Sequence, residues 1–254
     1  MSGTHTSLIP APTAFDSVRS AALWTAGLCW IVPAMGAMMA ASAVVHPDRT
    51  QWIDRTYCRV QVALTGSRWR AEVHPDVRPD RPYLFVQNHV NLLDHVTMYN
   101  ATPHFKQGVE LESHFRLPVY GWYMRRRGTI GIKRGDPDQR GDLLGKMRAE
   151  IERGHSILAF PEGTRTRDGS VGRFRRGMFY LARELGLPIV PTTITGMHDV
   201  LRTGSWVMRP GDVTVHCDAP IETATVPRED IADLTDRVRS IIAARVDAHR
   251  GRHG

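Results

Sequence analysis

The chain has 254 residues, 42% of them hydrophobic and 23% charged, so it is long enough for one catalytic domain and too apolar to be disordered throughout. Its formal net charge of +7 predicts attraction to polyanions: nucleic acid, an anionic membrane or phosphate-bearing substrates. The cysteines, Cys29, Cys58 and Cys217, show no C-x-x-C spacing, which argues against a zinc site and against a disulfide framework.

The N-terminal region is predicted to contain a flexible tail, residues 1–20, and then a membrane-associated hydrophobic segment, residues 21–45. This segment has no charged residue, and its length of roughly 25 residues suffices for a helix to cross a hydrocarbon core of about 30 Å. Pro33 near its middle is compatible with a kinked span or a re-entrant hairpin as well as a straight helix. A cleaved signal peptide and a buried core helix are the alternative interpretations.

Arginines are frequent directly after this segment, beginning with Arg49 and Arg55. If the segment spans a membrane, this excess places the following domain on the cytoplasmic face of the cell membrane.

Residues 46–254 are predicted to form one catalytic domain of alternating strands and helices. Short apolar runs bounded by turn residues predict strands at 82–87, 156–160, 188–195 and 212–216. Helical patterns lie between and after them, at about 139–153, 175–185 and 230–249. This alternation predicts an α/β fold with a mixed, mainly parallel sheet flanked by helices.

The sequence NHVNLLD, which contains His89 and Asp94, directly follows the first of these strands. Strand ends are where α/β folds present reactive groups. An imidazole there can accept a proton from a hydroxyl if a carboxylate orients it, and a helix that begins after His89 would bring Asp94 beside the ring. In the alternative interpretation, Asn91 caps that helix, Asp94 is part of the cap, and His89 is an incidental loop residue.

The sequence FPEGTR follows another predicted strand. In it, Gly163 lets a ligand approach the backbone, Thr164 offers a hydroxyl, and Arg165 offers a bidentate donor for phosphate. A third stretch, residues 118–135, concentrates basic side chains around glycines and fits phosphate binding or attraction to a membrane surface. Ordinary solvated turns are the alternative for both stretches.

The four blocks NHVNLLD, P-x-x-G with IKR, FPEGTR and LPIVP occur in this order between Tyr83 and Gly196. In this combination the chain resembles the glycerolipid acyltransferase family, whose familiar members are the 1-acylglycerol-3-phosphate acyltransferases. The resemblance implies transfer of a fatty acyl group from acyl-CoA or acyl-carrier protein to the hydroxyl of a lysophospholipid, with 1-acyl-sn-glycerol-3-phosphate as the expected acceptor.

The resemblance also implies roles for individual residues. His89 matches the general base and Asp94 its partner, while Pro191 matches the block associated with the acyl donor. Together with Thr164, the candidates for binding the acceptor are Arg134, Glu162, Gly163, Arg165 and Arg176. No cofactor and no metal is expected, because outside His89 and Asp94 the sequence has no compact cluster with ligand spacing.

One position departs from the family pattern. Glu112 stands where members that use lysophosphatidic acid commonly carry a lysine, and a carboxylate there would oppose a phosphate unless a nearby arginine neutralised it. The acceptor could then be lysophosphatidic acid or a less anionic, amine-bearing lysolipid. A basic, non-catalytic protein that binds membranes or nucleic acid is the alternative of another class, but the sequence has no nucleic-acid-binding motif, so no nucleic-acid partner is expected.

Overall fold

The computed structural model of the chain describes residues 12–133, 135–136 and 138–253. The helices are α1 (Ala14–Val44), α2 (Gln51–Ala63), α3 (Asp94–Ala101), α4 (Tyr120–Arg127), α5 (Arg140–Glu152), α6 (Gly177–Leu185), α7 (Met197–Val200) and α8 (Ile231–His253). A 3-10 helix, Glu112–Arg116, precedes α4. The strands are β1 (Arg68–Val73), β2 (Leu84–Gln87), β3 (Lys106–Leu111), β4 (Ile130–Ile132), β5 (Ser156–Ala159), β6 (Ile189–Thr195) and β7 (Asp212–Cys217).

Within the described residues, the seven strands form one sheet in the order β1-β7-β6-β2-β5-β3-β4. Neighbouring strands are parallel except for β6 and β7, which are antiparallel. The predicted α/β class with a mixed, mainly parallel sheet is therefore confirmed. Since β2, β3, β5 and β6 are parallel, their carboxyl ends meet at one edge of the sheet, and the segments that follow them lie there together.

The sheet is buried on both faces, as expected for parallel strands covered by helices. Side chains alternate along β2, so Phe85 packs in a cluster that includes residues of α2 and α3, whereas Leu84 and Val86 pack in another that includes residues of α6 and α8. All residues of β2 and β5 are buried, which explains why both strands are mostly apolar, with Gln87 and Ser156 as the exceptions. These two central strands support the candidate site.

Helix α1 begins earlier than the sequence analysis predicts. The predicted flexible tail extends to residue 20, but the helix starts at Ala14, because the Thr13 side chain accepts from the Asp16 amide and the Asp16 carboxylate accepts from the Thr13 amide. Such a capping box satisfies two amides that would otherwise lack partners. The remainder of the predicted tail, residues 1–11, lies outside the described residues.

The same helix continues through Pro33 to Val44, so the hydrophobic segment is a single helix and not a re-entrant hairpin. One stripe of it is buried, at Ser20, Gly27, Ala34, Met38 and Ser42. Only 22% of its most apolar window is buried. A core helix would be mostly enclosed, and that alternative is therefore wrong for this segment.

Helix α1 lies along the domain and contacts it near both ends. Near its start, Ser20 accepts a hydrogen bond from the Met208 amide. Near its end, the Ser42 carbonyl accepts one from Arg126 of α4. Because both ends touch the same domain, the helix runs across the domain surface and does not project away from it.

Lys106, the first residue of β3, has no exposed surface. Its ammonium donates to the carbonyl oxygens of Thr102 and His104, both at 3.2 Å, and lies 5.3 Å from the centre of the Phe85 ring. Burial lowers the pKa of Lys106 to about 7, since a charged amine is disfavoured away from water. In the unfolded chain the same amine titrates near 10.4.

This difference between the folded and unfolded pKa of Lys106 predicts that the stability contributed by this one residue changes with pH. Between pH 7 and about 10 the unfolded chain binds the proton of Lys106 and the folded chain does not, so stability rises with pH. We expect wild type to gain stability relative to Lys106→Met by up to about 1.4 kcal/mol per pH unit over this range. Urea denaturation of both proteins from pH 6 to 9 measures the difference. A difference that does not change with pH would mean that Lys106 keeps its ordinary pKa.

Candidate active site

The imidazole of His89 and the carboxylate of Asp94 are in direct contact. His89 Nδ1 lies 2.7 Å from Asp94 Oδ2. The Asp94 side chain is fully buried, and the His89 side chain retains 24% of its exposure. A carboxylate oxygen only accepts, so the hydrogen bond requires the proton on Nδ1. The unprotonated Nε2, which has no hydrogen-bond partner among the described residues, is then the basic atom of the site.

The backbone between the two residues is folded around the Asp94 carboxylate. Besides the His89 ring, Asp94 Oδ2 accepts from the amides of Val90 at 2.7 Å and Asn91 at 3.0 Å. Helix α3 begins at Asp94, which turns this first helical residue back toward the end of β2. The predicted approach of Asp94 to His89 through a helix start is therefore confirmed.

Two asparagines attach this loop to strand β6 and the segment after it. Asn88 exchanges two hydrogen bonds with the backbone of Ile194, at 2.8 and 3.1 Å. Asn91 donates to the carbonyls of Met197 and Leu201. The alternative in which Asn91 caps α3 is wrong, because the capping position is Leu93 and no side chain caps it.

The FPEGTR segment, which follows β5, lies against His89 from the other side. The Phe160 ring stacks on the imidazole, with 4.3 Å between ring centres. Glu162 Oε1 accepts from the His89 amide at 2.9 Å, and the Thr166 amide donates to the His89 carbonyl at 2.9 Å. Residues 163–165 are therefore held between two points of attachment to His89.

The Glu162 carboxylate binds the backbone on both of its oxygens, since Oε2 accepts from the Gly172 amide at 2.9 Å. A Cβ on Gly172 would lie 2.9 Å from this oxygen, so a larger residue there would push the Glu162 carboxylate away. Burial raises the pKa of Glu162, and the two amide hydrogen bonds oppose that shift. Glu162 thus links the loops after β2 and β5, which gives it a structural position in addition to the predicted contact with the acceptor.

The remaining predicted site residues differ in their placement. Gly163 has a φ of +69° and packs against the Arg175 guanidinium, which a Cβ would approach to 3.0 Å. Thr164 and Arg165 are exposed in the segment beside His89, and Arg176 is exposed at the start of α6. Pro191, in contrast, is buried in β6 opposite Val86.

Arg134 lies outside the described residues. Because the Pro191 ring is buried, no contact between it and an acyl donor is visible, and that contact stays a prediction. Glu112, the departure from the family pattern, is exposed and opens the 3-10 helix at the carboxyl end of β3. The neighbouring carboxylate of Glu110 pairs with His114 at 2.9 Å.

The sequence analysis did not identify Asn88, Asn91, Phe160 or Gly172 as parts of the site. Three of them lie within the blocks that carry the resemblance, so their positions were a usable signal. What the sequence did not reveal is that they contact backbone or ring atoms of the site from within the fold.

Comparison with known proteins gives consistent results. A family model described as Acyltransferase matches residues 68–195. The chain is 36% identical over 143 residues to a chloroplastic 1-acyl-sn-glycerol-3-phosphate acyltransferase of Brassica napus, covering 56% of this chain and 41% of the relative. A chloroplastic protein of the same description from Arabidopsis thaliana is 34% identical over 169 residues, covering 66% and 46%. The chain thus spans less than half the length of these relatives.

The fold is shared with a solved structure. The crystal structure of the 1-acyl-sn-glycerophosphate (LPA) acyltransferase PlsC from Thermotoga maritima superposes with a TM-score of 0.77, over 92% of this chain and 95% of that chain. At 20% identity, this match concerns the architecture alone.

The contacts of Asp94 predict a specific effect of Asp94→Asn. The substituted amide can donate to His89 Nδ1, so the ring proton should move to Nε2, and the loss of charge-assisted hydrogen bonds should cost roughly 1–3 kcal/mol of stability. Nitrogen-15 NMR of the histidine rings and urea denaturation measure the two effects. Asp236→Asn, on an exposed position of α8, is the matched control. An unchanged His89 spectrum would show that Asp94 does not set the tautomer.

Proposed function

The chain belongs to the acyltransferase family, and from that premise we propose that it transfers a fatty acyl group from a thioester to the hydroxyl of a lysophospholipid. The proposed acceptor is 1-acyl-sn-glycerol-3-phosphate, as in the names of the relatives, and the donor is acyl-CoA or acyl-carrier protein. The contact between His89 and Asp94 is the observation that carries this proposal. It provides a general base at the carboxyl edge of the sheet, beside an exposed arginine.

The proposed reaction is a direct transfer. His89 Nε2 removes the proton of the acceptor hydroxyl as that oxygen attacks the thioester carbonyl. When the tetrahedral intermediate collapses, the carbon–sulfur bond breaks, and the imidazolium returns the proton to the departing thiolate. Asp94 keeps Nδ1 protonated and stabilises the imidazolium. Phe160, stacked on the ring, and Glu162, bound to the His89 amide, act as positioning residues.

The proposed location is the cell membrane, with α1 as the anchor and the catalytic domain on the cytoplasmic face. The exposed side chains of α1 include Phe15, Val18, Leu28 and Val32, each at least 60% exposed, and no charged residue follows Arg19 in the helix. Water is a poor solvent for such a surface. Because α1 contacts the domain near both ends, anchoring by α1 would hold the domain against the membrane surface. A lipid acceptor would then reach the site from the bilayer.

Removal of the proposed base tests the enzyme directly. His89→Ala should lower kcat by about a hundredfold to ten-thousandfold, because the hydroxyl loses its proton acceptor. The measurement is conversion of lysophosphatidic acid and an acyl-CoA, or an acylated carrier protein, by purified protein. His74→Ala, at an exposed histidine near β1, serves as the control. Near-normal turnover by a folded His89→Ala protein would exclude this mechanism, whereas absence of turnover by wild type itself would favour a basic protein that only binds.

Arg165 is proposed to hold the phosphate of the acceptor, because its guanidinium is exposed in the segment clamped to His89. Arg165→Lys should raise the KM for lysophosphatidic acid roughly tenfold to a hundredfold, since lysine cannot make two parallel hydrogen bonds to phosphate. The KM for monoacylglycerol, which has no phosphate, should not change. Arg237→Lys, at an exposed position of α8, is the control. Equal effects on both acceptors would assign Arg165 a structural role.

A further inference from the structure

A short exposed apolar segment comprises the turn before α4 and the first residues of that helix. We call residues 117–122 the apolar tip. Leu117 is 52% exposed, Val119 48%, and Tyr120 and Trp122 38% each. Four large hydrophobic side chains exposed within six residues differ from the scattered apolar residues of an ordinary surface. The mechanism proposed above uses none of them.

The backbone of the apolar tip is strained at Val119. Its φ is 64° and its ψ −64°, and the Tyr120 amide donates to the Pro118 carbonyl at 2.6 Å, which forms a γ-turn. A β-branched residue is unfavourable at positive φ, and a γ-turn whose central residue has a positive φ is itself rare and strained. Val119 gains little burial in return, so the fold does not explain an apolar side chain at this position.

The turn is nevertheless held firmly. The Gly121 amide donates to the Leu117 carbonyl at 2.9 Å, and a Cβ on Gly121 would lie 2.1 Å from the Phe115 carbonyl oxygen. The same oxygen accepts from the Arg125 guanidinium at 2.6 Å. These contacts hold the turn in place while the Val119 side chain stays 48% exposed.

Basic side chains flank the apolar tip. Trp122, Arg125 and Arg126 are exposed on one face of α4, at positions i, i+3 and i+4, and Arg116 is exposed at the end of the 3-10 helix. Aromatic side chains beside arginines match the interface of an anionic bilayer, where rings occupy the head-group level and the cations meet lipid phosphates.

The apolar tip is also connected to the surface of α1. Arg126 of α4 donates to the Ser42 carbonyl, two residues before Val44, which is 83% exposed. The tip follows the carboxyl end of β3, and His89 follows the carboxyl end of the parallel strand β2, so both lie at the same edge of the sheet.

We propose that the apolar tip is a second membrane contact, which inserts into the interface of an anionic bilayer beside the candidate site. This inference rests on the proposed function, because a lipid acceptor is what makes contact at this edge useful. An acyl-carrier protein is the other conceivable occupant. Lipid is favoured because the Arg126 hydrogen bond to Ser42 joins the tip to the uncharged surface of α1.

The test compares two identical substitutions. Val119→Asp places a charge in the apolar tip at a half-exposed position, so no buried contact is lost and folding should be preserved. Val73→Asp places the same charge at a valine of edge strand β1 that is 39% exposed. Binding to phosphatidylcholine vesicles containing phosphatidylglycerol is measured by sedimentation. We expect Val119→Asp to weaken binding at least about tenfold and Val73→Asp to leave it unchanged.

A second measurement locates the contact without adding a charge. Brominated lipids quench tryptophans that lie in the bilayer, so Trp122→Phe should lose part of the quenching seen in wild type. Equal vesicle binding by Val119→Asp and wild type, together with unchanged quenching in Trp122→Phe, would overturn the proposal. If Val119→Asp instead raises only the KM for an acylated carrier protein, the surface belongs to that protein and the lipid assignment is wrong.

Activity on soluble substrates separates the two proposals. With a short-chain lysophosphatidate and a short-chain acyl-CoA, both below their micellar concentrations, Val119→Asp should turn over like wild type. If wild type itself is inactive with these and with long-chain substrates, the proposed function fails whatever the vesicles show. If wild type is active and Val119→Asp loses activity on soluble substrates as well, the tip serves the site directly and the membrane assignment fails.

Discussion

The buried carboxylate of Asp94 imposes the constraint on which the site depends. A charge removed from water is costly unless hydrogen bonds replace its hydration. Here one oxygen, Oδ2, accepts from the His89 ring and from two successive backbone amides, whereas the buried Oδ1 has no hydrogen-bond partner in the described part of the chain. The loop after β2 must therefore wrap tightly around Oδ2, and this wrapping fixes the direction of the imidazole.

The loops around this carboxylate are held by side chains that bind backbone groups. Asn88 attaches the end of β2 to β6, and Glu162 attaches the His89 amide to the loop after β5. Backbone groups beyond the last sheet hydrogen bond would otherwise need water as their partner. Because these contacts are made within the protein, the orientation of His89 exists before a substrate binds. Such preorganisation avoids the entropic cost of ordering the base during the reaction.

The sequence predicted the central strands because they are buried on both faces and therefore mostly apolar. It did not predict β3, whose first residues, Lys106 and Gln107, are polar but buried. The lysine donates to carbonyls just before the strand, whereas the partners of Gln107 come from distant segments. It did not predict β1 either, although charged and uncharged residues alternate along this edge strand. The sequence analysis placed the start of the N-terminal helical segment too late, because it took the first residue of the uncharged run as the boundary. The capping box of Thr13 and Asp16 sets the actual start of α1.

Within the site, the pairing of His89 with Asp94 was predictable because only a five-residue separation and a helix start are needed. The position of Glu162 was not, since its contacts join segments that are more than seventy residues apart in sequence. Both results follow from the range of the interaction: local hydrogen bonds can be inferred from spacing, whereas contacts between strand ends depend on the order of strands in the sheet.

The order of strands in the sheet also links the candidate site to the proposed membrane contacts. Strands β2 and β3 are parallel, and β5 lies between them, so the loop with His89 and the segment leading to Val119 share one edge of the sheet. The Arg126 hydrogen bond to Ser42 joins that segment to α1. A bilayer in contact with both the apolar tip and α1 would therefore restrict how the domain can rotate above the membrane. A single helix leaves rotation about its own axis free, whereas a second contact away from that axis removes it. Under the proposed function, presentation of His89 to a lipid hydroxyl would then depend on two separated surfaces, and neither would suffice alone.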